Sequence, residues 1–147
     1  MPEANIEKLG SEAVILGLDY GLKRIGVALG NLLVSEARPL QIIHWTTNEQ
    51  KWQQLASIIK NWEPDAVVVG VPFHPDGAPN SMTEVCRKFG RQVEGRYGLP
   101  VFFEDERFSS VDAESEYGND DYIDDEAASV ILQQWFDKAK IQRGGAL

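Results

Sequence analysis

The stretch AVILGLDYGLKRIGVALG, residues 13–30, decides the fold of this chain. Its first part, Val14 to Leu18, is a near-continuous apolar run, which is typical of a strand that is buried on both faces. Tyr20 to Lys23 has the composition of a tight turn, and Arg24 to Leu29 follows as a second apolar strand. The stretch therefore predicts a β-hairpin in the interior of the protein.

The rest of the chain alternates between predicted strands and helices. A third strand is predicted within Leu33–Trp45, with Pro39 at an edge or bulge, followed by a helix from Asn48 to Pro64 and a strand Ala66–Val71. The next helix begins at a capping box formed by Ser81 and Glu84 and runs to Tyr97. A strand Val101–Glu104, a short helix capped by Ser109 or Ser110, and a final helix within Ile123–Lys140 complete the order. An antiparallel meander followed by elements that cross over to parallel strands describes a mixed α/β sheet flanked by helices. The ribonuclease-H-like topology fits this order best.

The length and composition predict one soluble domain. The chain has 147 residues, of which 43% are hydrophobic and 10% aromatic. Residues 1–12 are polar and aperiodic and are expected to form a flexible tail, so that the domain spans residues 13–147. Cys86 is the single cysteine, which excludes an internal disulfide and a zinc site built from several thiolates. Without a signal-like or membrane-spanning segment, we expect a cytoplasmic protein that does not bind membranes.

The charge is unevenly distributed. The net charge is −9, but residues 101–137 hold 12 acidic residues and a single base, Arg107, so the remainder of the chain carries +2. A general nucleic-acid binder of this net charge is not expected, because such proteins neutralise phosphates with Lys and Arg. An acidic block is typical of a solvated face, of a surface for a basic partner, or of carboxylates that hold a cation.

Asp19 is the first candidate functional residue. It follows an apolar run at a point where the strand is still inside the protein, and a charge there is costly unless it is paired or bound to a metal. The alternative interpretation is that Asp19 opens the turn at Tyr20 and Gly21, which is a common position for Asp.

Three consecutive carboxylates, Glu104, Asp105 and Glu106, lie at the end of a predicted buried strand. Open sheets bind ligands at the carboxyl ends of such strands. Strand alternation places Asp105 on the opposite side from Glu104 and Glu106, so that the three cannot all serve one site. The alternative is a solvated strand end with Arg107 as the counter-ion.

A further acidic group flanks or begins the last helix, at Asp120, Asp121, Asp124, Asp125 and Glu126. The helix dipole explains one or two of these carboxylates, and five are more than capping needs. Carboxylates from a strand, a strand end and a helix start suit two Mg²⁺ ions, because hard cations prefer oxygen ligands. A phosphodiester hydrolase uses such a pair to activate water.

The basic residues outside the acidic block are candidate phosphate contacts. Lys23 and Arg24 lie in the first turn, Arg87 and Arg91 share one face of a helix, and Arg107 adjoins the carboxylates. Ordinary solvated bases explain the helical pair equally well. His44 and His74 lack the spacing of a metal site, and the four tryptophans fall mostly on apolar faces, where they are predicted to pack in the core and not to stack on bases.

Five stretches together resemble the YqgF family: GLDYGLKRIGVALG (17–30), ARPL (37–40), VVVGVPFHPDGAPN (67–80), GRYGLPVFFEDERFSSVDAE (95–114) and IDDEAASVILQQWFD (123–137). They occur in the right order, and the resemblance as a whole extends over nearly all of residues 13–137. The family is described as Holliday-junction resolvases and as nucleases that mature the 5′ end of the small-subunit ribosomal RNA precursor.

The resemblance implies a ribonuclease-H-like fold and a nuclease site dependent on Mg²⁺ or Mn²⁺. Carried over by motif, Asp19, Glu106 and Asp124 form the acidic triad, with Asp105 as the alternative second acid. It implies structured RNA or branched DNA as substrate, ribosomal precursor particles as a partner, and a monomer or homodimer. Ribosomal RNA processing is the preferred role and junction resolution the alternative.

The sequence also departs from the family pattern. Leu22 stands where many relatives have Thr, and residues 114–122 are short and acidic where relatives often carry Lys or Arg. The net charge of −9 adds the expectation that nucleic acid binds weakly and with a steep dependence on salt. Two other functions stay open: a nucleotide-binding module of the type found in sugar kinases, and a scaffold without catalytic activity that binds a partner through its acidic surface.

Overall fold

The computed structural model describes residues 5–106 and 125–144. Their elements are β1 (Val14–Tyr20), β2 (Arg24–Asn31), β3 (Ala37–His44), α1 (Asn48–Trp62), β4 (Ala66–Val71), α2 (Thr83–Tyr97), β5 (Val101–Asp105) and α3 (Asp125–Gly144), preceded by a short 3₁₀ helix, Ile6–Lys8. The predicted order of these strands and long helices is confirmed. The predicted short helix capped by Ser109 or Ser110 lies outside the described residues.

The described strands form one mixed sheet in the order β3-β2-β1-β4-β5. β1 is antiparallel to β2, and β2 to β3, whereas β4 is parallel to both β1 and β5. The predicted meander with parallel crossovers is therefore confirmed. Because β1, β4 and β5 run in the same direction, their carboxyl ends meet at one edge of the sheet. We call this the carboxyl edge.

Two hydrophobic clusters, one on each face of the sheet, form the core. Leu16, Leu18 and Tyr20 of β1 belong to the cluster that α1 and α2 cover. Ile15 of the same strand belongs to the other cluster, which α3 covers with Ala128, Ile131, Leu132, Trp135 and Phe136. β1 and β4 are thus buried on both faces, which explains why their sequences are continuous apolar runs and do not alternate.

Local signals set most element boundaries. Thr47 and Gln50 form a capping box at the start of α1, with Thr47 Oγ1 accepting from the Gln50 backbone N–H at 3.1 Å. Gly98 ends α2 with a φ of 67°, a left-handed conformation that glycine adopts without strain. Pro39 lies in the edge strand β3, where the register with β2 shifts between Val27 and Ala28, so Pro39 is at both an edge and a bulge.

The predicted capping box at Ser81 and Glu84 is wrong. α2 begins at Thr83, and its N-cap residue, Met82, makes no side-chain capping bond; Asn80 closes the preceding turn, since its Oδ1 accepts from the backbone N–H groups of Met82 and Thr83 at 2.8 and 3.1 Å. The side chain of Glu84 instead forms an ion pair with Arg87. Asn favours such turns because its short side chain can accept hydrogen bonds from the backbone N–H groups two and three residues further along the chain.

The N-terminal segment has local structure that its sequence pattern did not indicate. Residues 5–12 of the predicted tail include the 3₁₀ helix, in which Asn5 Oδ1 accepts from the Glu7 backbone N–H at 2.9 Å. Ile6 and Leu9 pack against the cluster under α3. Within the described residues, no helix is long and apolar enough to span a membrane.

Candidate active site

Asp19 lies inside β1 and not in the turn. It pairs with Gly26 of β2, and the turn closes two residues later, where the Gly21 backbone N–H donates to the Arg24 carbonyl at 2.8 Å. Leu18 and Tyr20 point toward α1 and α2, so alternation directs Asp19 to the face that α3 covers. Its residue surface is only 7% exposed. A carboxylate buried at this position is costly unless it is compensated, which is typical of a functional site.

Glu106 follows β5 at the carboxyl edge and lies over Gly70 of β4. A Cβ built on Gly70 would be 3.0 Å from both Cγ and Cδ of Glu106, and 2.7 Å from Cδ1 of Ile131 in α3. The Glu106 side chain therefore occupies the space that a side chain at position 70 would fill. Leu18 pairs with Val69, so the next positions along these parallel strands are Asp19 and Gly70. Asp19 and Glu106 thus share the α3 face, with the bare backbone of Gly70 beside them.

The three consecutive carboxylates at the end of β5, Glu104 to Glu106, divide between the two faces of the sheet as strand alternation predicts. Glu104 is buried on the α3 face, where its Oε2 accepts from Lys138 Nζ at 2.7 Å and from Gln134 Nε2. Asp105 pairs in register with Val71, whose side chain belongs to the opposite cluster. Glu104 is therefore committed to holding α3 on the sheet. Of the two candidates for the second acid, Glu106 is the one on the face of Asp19.

Cys86 reports the charge of this site. Burial, and to a smaller extent the carboxylates of Glu106 and Asp19, together raise the pKa of its thiol to about 12. The Sγ donates to the Tyr20 carbonyl at 3.8 Å, so Cys86 packs against the carboxyl end of β1 from the side of α2. A thiol with this pKa stays protonated at neutral pH and is not a nucleophile.

The described residues supply two of the three predicted acids. Asp124 precedes α3 and lies outside the described residues, as does Arg107. Among residues 5–106 and 125–144 there is no group of three or more His, Cys, Asp or Glu side chains that can hold a metal ion. Asp19 and Glu106 are thus the two members of the predicted triad that the structure describes.

The predicted phosphate contacts fall in two places. Lys23 and Arg24 line an open pocket at the start of β2, together with His44, Trp45, Thr46 and Gln50. On α2, Arg87 and Arg91 both face Glu84, at 2.9 and 3.6 Å. This carboxylate offsets part of the positive charge that the sequence assigned to that helix face.

Sequence reasoning missed two features of this edge. Gly70 interrupts the apolar strand AVVVGV, and a glycine inside a strand signals a close approach by another group. That signal was present in the sequence. Trp45 packs against the core as predicted, but it is only half-buried and also lines the pocket beside Lys23.

A comparison with protein families matches residues 13–138 to the family RuvX, described as Holliday junction resolvase. Curated relatives include a protein of Paraburkholderia phytofirmans named "Putative pre-16S rRNA nuclease", 52% identical over 132 residues that cover 87% of this chain and 90% of the relative. A protein of the same name from Burkholderia vietnamiensis is 47% identical over 135 residues, covering 86% of this chain and 91% of the relative.

Among solved structures, the chain resembles the RuvC protein of Thermus thermophilus in complex with a Holliday junction substrate. The TM-score is 0.53 at 14% sequence identity, with 86% of this chain and 95% of that chain covered. This likeness confirms the predicted ribonuclease-H-like fold.

Proposed function

The chain belongs to the RuvX family of Holliday junction resolvases, and we propose that it is a nuclease that cuts phosphodiester bonds in the precursor of 16S ribosomal RNA. The observation that carries this proposal is the 52% identity, over nine-tenths of its length, to a relative named for that reaction. The fold and the buried carboxylate at the carboxyl edge agree with it. In this proposal the protein acts in the cytoplasm on ribosomal precursor particles.

A divalent metal fits the donors at this edge. Asp19 is buried and Glu106 lies beside it across Gly70, so two oxygen donors of the type that Mg²⁺ and Mn²⁺ prefer share one face. Asp124, which directly precedes α3 in the sequence, is proposed as the third. Two such ions, when bound, activate the attacking water and stabilise the departing oxygen.

The protein's own groups prepare the site. Gly70 leaves room for the Glu106 side chain, and the pair of Glu104 with Lys138 holds α3 against β5. The two acids are therefore held in position before substrate binds, which lowers the cost of reaching the reactive geometry. Lys23 and Arg24 lie on the same hairpin as Asp19 and are proposed to hold the phosphate backbone there.

The test is metal binding and cleavage in matched variants. Mg²⁺ or Mn²⁺ is titrated by calorimetry into wild-type protein, Asp19→Asn, Glu106→Gln and Asp105→Asn, and cleavage of a 5′ precursor fragment of 16S ribosomal RNA is followed in parallel. We expect Asp19→Asn and Glu106→Gln to lose metal affinity and to cut on the order of 10²-fold more slowly. Asp105→Asn is the matched control, because its carboxylate belongs to the opposite face, and it should cut at the wild-type rate.

Three outcomes contradict parts of this proposal. Full activity of Asp19→Asn would exclude the mechanism based on the acidic residues. Loss of activity in Asp105→Asn but not in Glu106→Gln would show that Asp105, and not Glu106, is the second acid. A wild-type protein that neither binds metal nor cuts RNA would favour a scaffold role.

A second candidate substrate is a four-way DNA junction, which the family description favours. The same site would perform the cut, but symmetric resolution needs two active sites and hence a dimer. A four-way junction assayed beside the RNA fragment, with the mass of the protein measured in solution, separates the two roles. A strictly monomeric protein that cuts only RNA would exclude resolution.

A further inference from the structure

An open pocket of about 600 Å³ adjoins the hairpin that carries Asp19. It is lined by Lys23, Arg24, His44, Trp45, Thr46 and Gln50. Two of these residues, Lys23 and Arg24, are basic and none is acidic, although the chain as a whole carries a net charge of −9. The pocket therefore combines local positive charge with an aromatic wall, which suits an anion attached to a flat ring.

Contacts from the core hold the aromatic wall in place. Lys51 is buried and its Nζ lies 4.4 Å from the centre of the Trp45 ring. The same Nζ donates to the Tyr20 hydroxyl at 2.9 Å, and the Tyr20 ring stacks near Trp45 with 6.1 Å between ring centres. Neither Lys51 nor Tyr20 lines the pocket. Trp45 is thus supported by buried groups and presents a preformed surface, which lowers the entropy lost on binding.

Backbone hydrogen bonds fix the cationic wall relative to the aromatic one. The Trp45 N–H donates to the Lys23 carbonyl at 3.0 Å, which joins the hairpin to the end of β3. Gln50 Oε1 accepts from both the backbone N–H and the hydroxyl of Thr46 at 2.9 Å, which fixes the loop into α1. The backbone segments that carry the two walls are therefore joined by hydrogen bonds.

The pocket is within reach of the proposed cleavage site. Asp19 pairs with Gly26 and Arg24 pairs with His44, so His44 is two strands and two residues away from Asp19. With strands about 4.8 Å apart and a rise of about 3.3 Å per residue, the two backbones are about 12 Å apart. Asp19 faces α3 whereas Trp45 packs against the cluster under α1 and α2, so a strand bound at both has to cross the carboxyl edge between the two faces.

We propose that this pocket binds one unpaired nucleotide of the substrate strand, a few positions from the bond that is cut, with its base against Trp45 and its phosphate at Lys23 and Arg24. The inference rests on the proposed function, because it takes a nucleic-acid strand as the ligand of this edge. An aromatic ring stacks on any base, so the site selects an unpaired nucleotide and not a sequence. It would favour substrates in which single-stranded chain adjoins the cut.

The test measures binding without cleavage. Wild-type protein in EDTA is titrated with a fluorescent RNA hairpin that carries a single-stranded extension of about eight nucleotides, in which one position at a time lacks its base; the duplex fixes the register of the extension. We expect the missing base to weaken binding by about 5-fold or more at one position and little elsewhere. Equal affinity for all members of the series would overturn the proposal, and this arm needs no variant of the pocket.

Variants then assign that position to Trp45. In Trp45→Leu the intact RNA should bind about 5-fold more weakly or worse, and removal of the critical base should cost nothing more. Trp45→Phe keeps an aromatic face and should retain most of the affinity. The matched control is Trp62→Leu, an exposed tryptophan at the other end of α1 that lies under Arg38 at 5.4 Å. Equal losses in Trp45→Leu and Trp62→Leu, or a critical base that still matters in folded Trp45→Leu, would contradict the assignment.

The cationic wall has its own signature. Lys23→Gln changes an exposed residue, so it should fold normally and lower the salt slope of binding by about 0.7, the value for one contact to single-stranded nucleic acid. An unchanged slope would remove Lys23 from the site. The two proposals can fail separately. If the protein is not a nuclease, no cleavage is seen in Mg²⁺, but the position-specific loss of RNA binding in EDTA is still expected. The same binding series is measured with DNA of the same sequence, which compares the affinity of the pocket for RNA and for DNA.

Discussion

Replacement of Gly70 by alanine tests the geometry of the acidic site. An ordinary carbon–carbon contact begins near 3.4 Å, whereas the new Cβ would be 2.7 Å from Ile131 Cδ1 and 3.0 Å from Glu106 Cγ and Cδ. Ile131 therefore has to retreat by about 0.7 Å and Glu106 by about 0.4 Å. The first movement is easy because Cδ1 is the far end of a flexible side chain. The second displaces the carboxylate on which the proposed reaction depends.

The two shifts have different costs. Overpacking in a core costs about 1–3 kcal/mol, and Ala gains about 0.5–1 kcal/mol over Gly within a strand, so the free energy of unfolding should fall by only about 1 kcal/mol. Misplacement of a catalytic group by about 1 Å costs on the order of 10²-fold in rate, so a shift of 0.4 Å should lower kcat by about 5- to 10-fold. We expect a folded protein with reduced kcat and a nearly unchanged KM.

The assay is the initial rate of cleavage of the 16S precursor fragment in Mg²⁺ over a range of substrate concentrations, with urea denaturation of the same preparations. Gly90→Ala is the matched control. Its Cβ would be 2.4 Å from Cε1 of Phe103, but that residue is 43% exposed and lies on the opposite face of the sheet from Glu106. Gly90→Ala should cut at the wild-type rate. A folded Gly70→Ala that retains full kcat would refute the role given to the position of Glu106.

Three further predictions concern charged and titratable groups. Burial and then the two neighbouring carboxylates raise the pKa of the Cys86 thiol to about 12. The thiol should therefore not react with a disulfide reagent in the native, metal-free protein at neutral pH, and rapid reaction before unfolding would contradict this. Lys138→Met leaves the buried Glu104 carboxylate without its ammonium partner and should lower the free energy of unfolding in urea by about 1–2 kcal/mol, most of which Glu104→Gln should recover in the same background. Burial, and then the charge of Arg96, lowers the pKa of Lys51. At a pH between that lowered pKa and 10.5, the unfolded chain therefore holds a proton on Lys51 that the folded chain has released. The free energy of unfolding of the wild type, relative to that of Lys51→Met, should rise with pH across this range. A stability difference that is flat across this range in urea titrations would show that Lys51 titrates normally in the fold.

Periodic patterns determined most of the fold. Val14 to Leu18 is apolar without alternation because β1 is covered on both faces, and that pattern is visible in the sequence. The helical stripe of α3, including Ala128, Leu132 and Trp135, is equally local. Alternation within β5 was sufficient to separate Asp105 from Glu106. These features depend on neighbours along the chain, so a sequence contains them.

Tertiary structure decided which groups meet. The contact of Glu106 with Gly70 depends on the parallel pairing of β4 with β5, and the partner of Glu104 comes from a helix 34 residues further along the chain. The position of Trp45 beside Lys23 depends on the pairing of β3 with β2. Such contacts join elements that are distant in sequence, and no local periodicity specifies them. The sequence by itself determined the sheet, its helices and the acids at its edge, whereas the packing of those elements decided which acids share a face and where a pocket opens beside them.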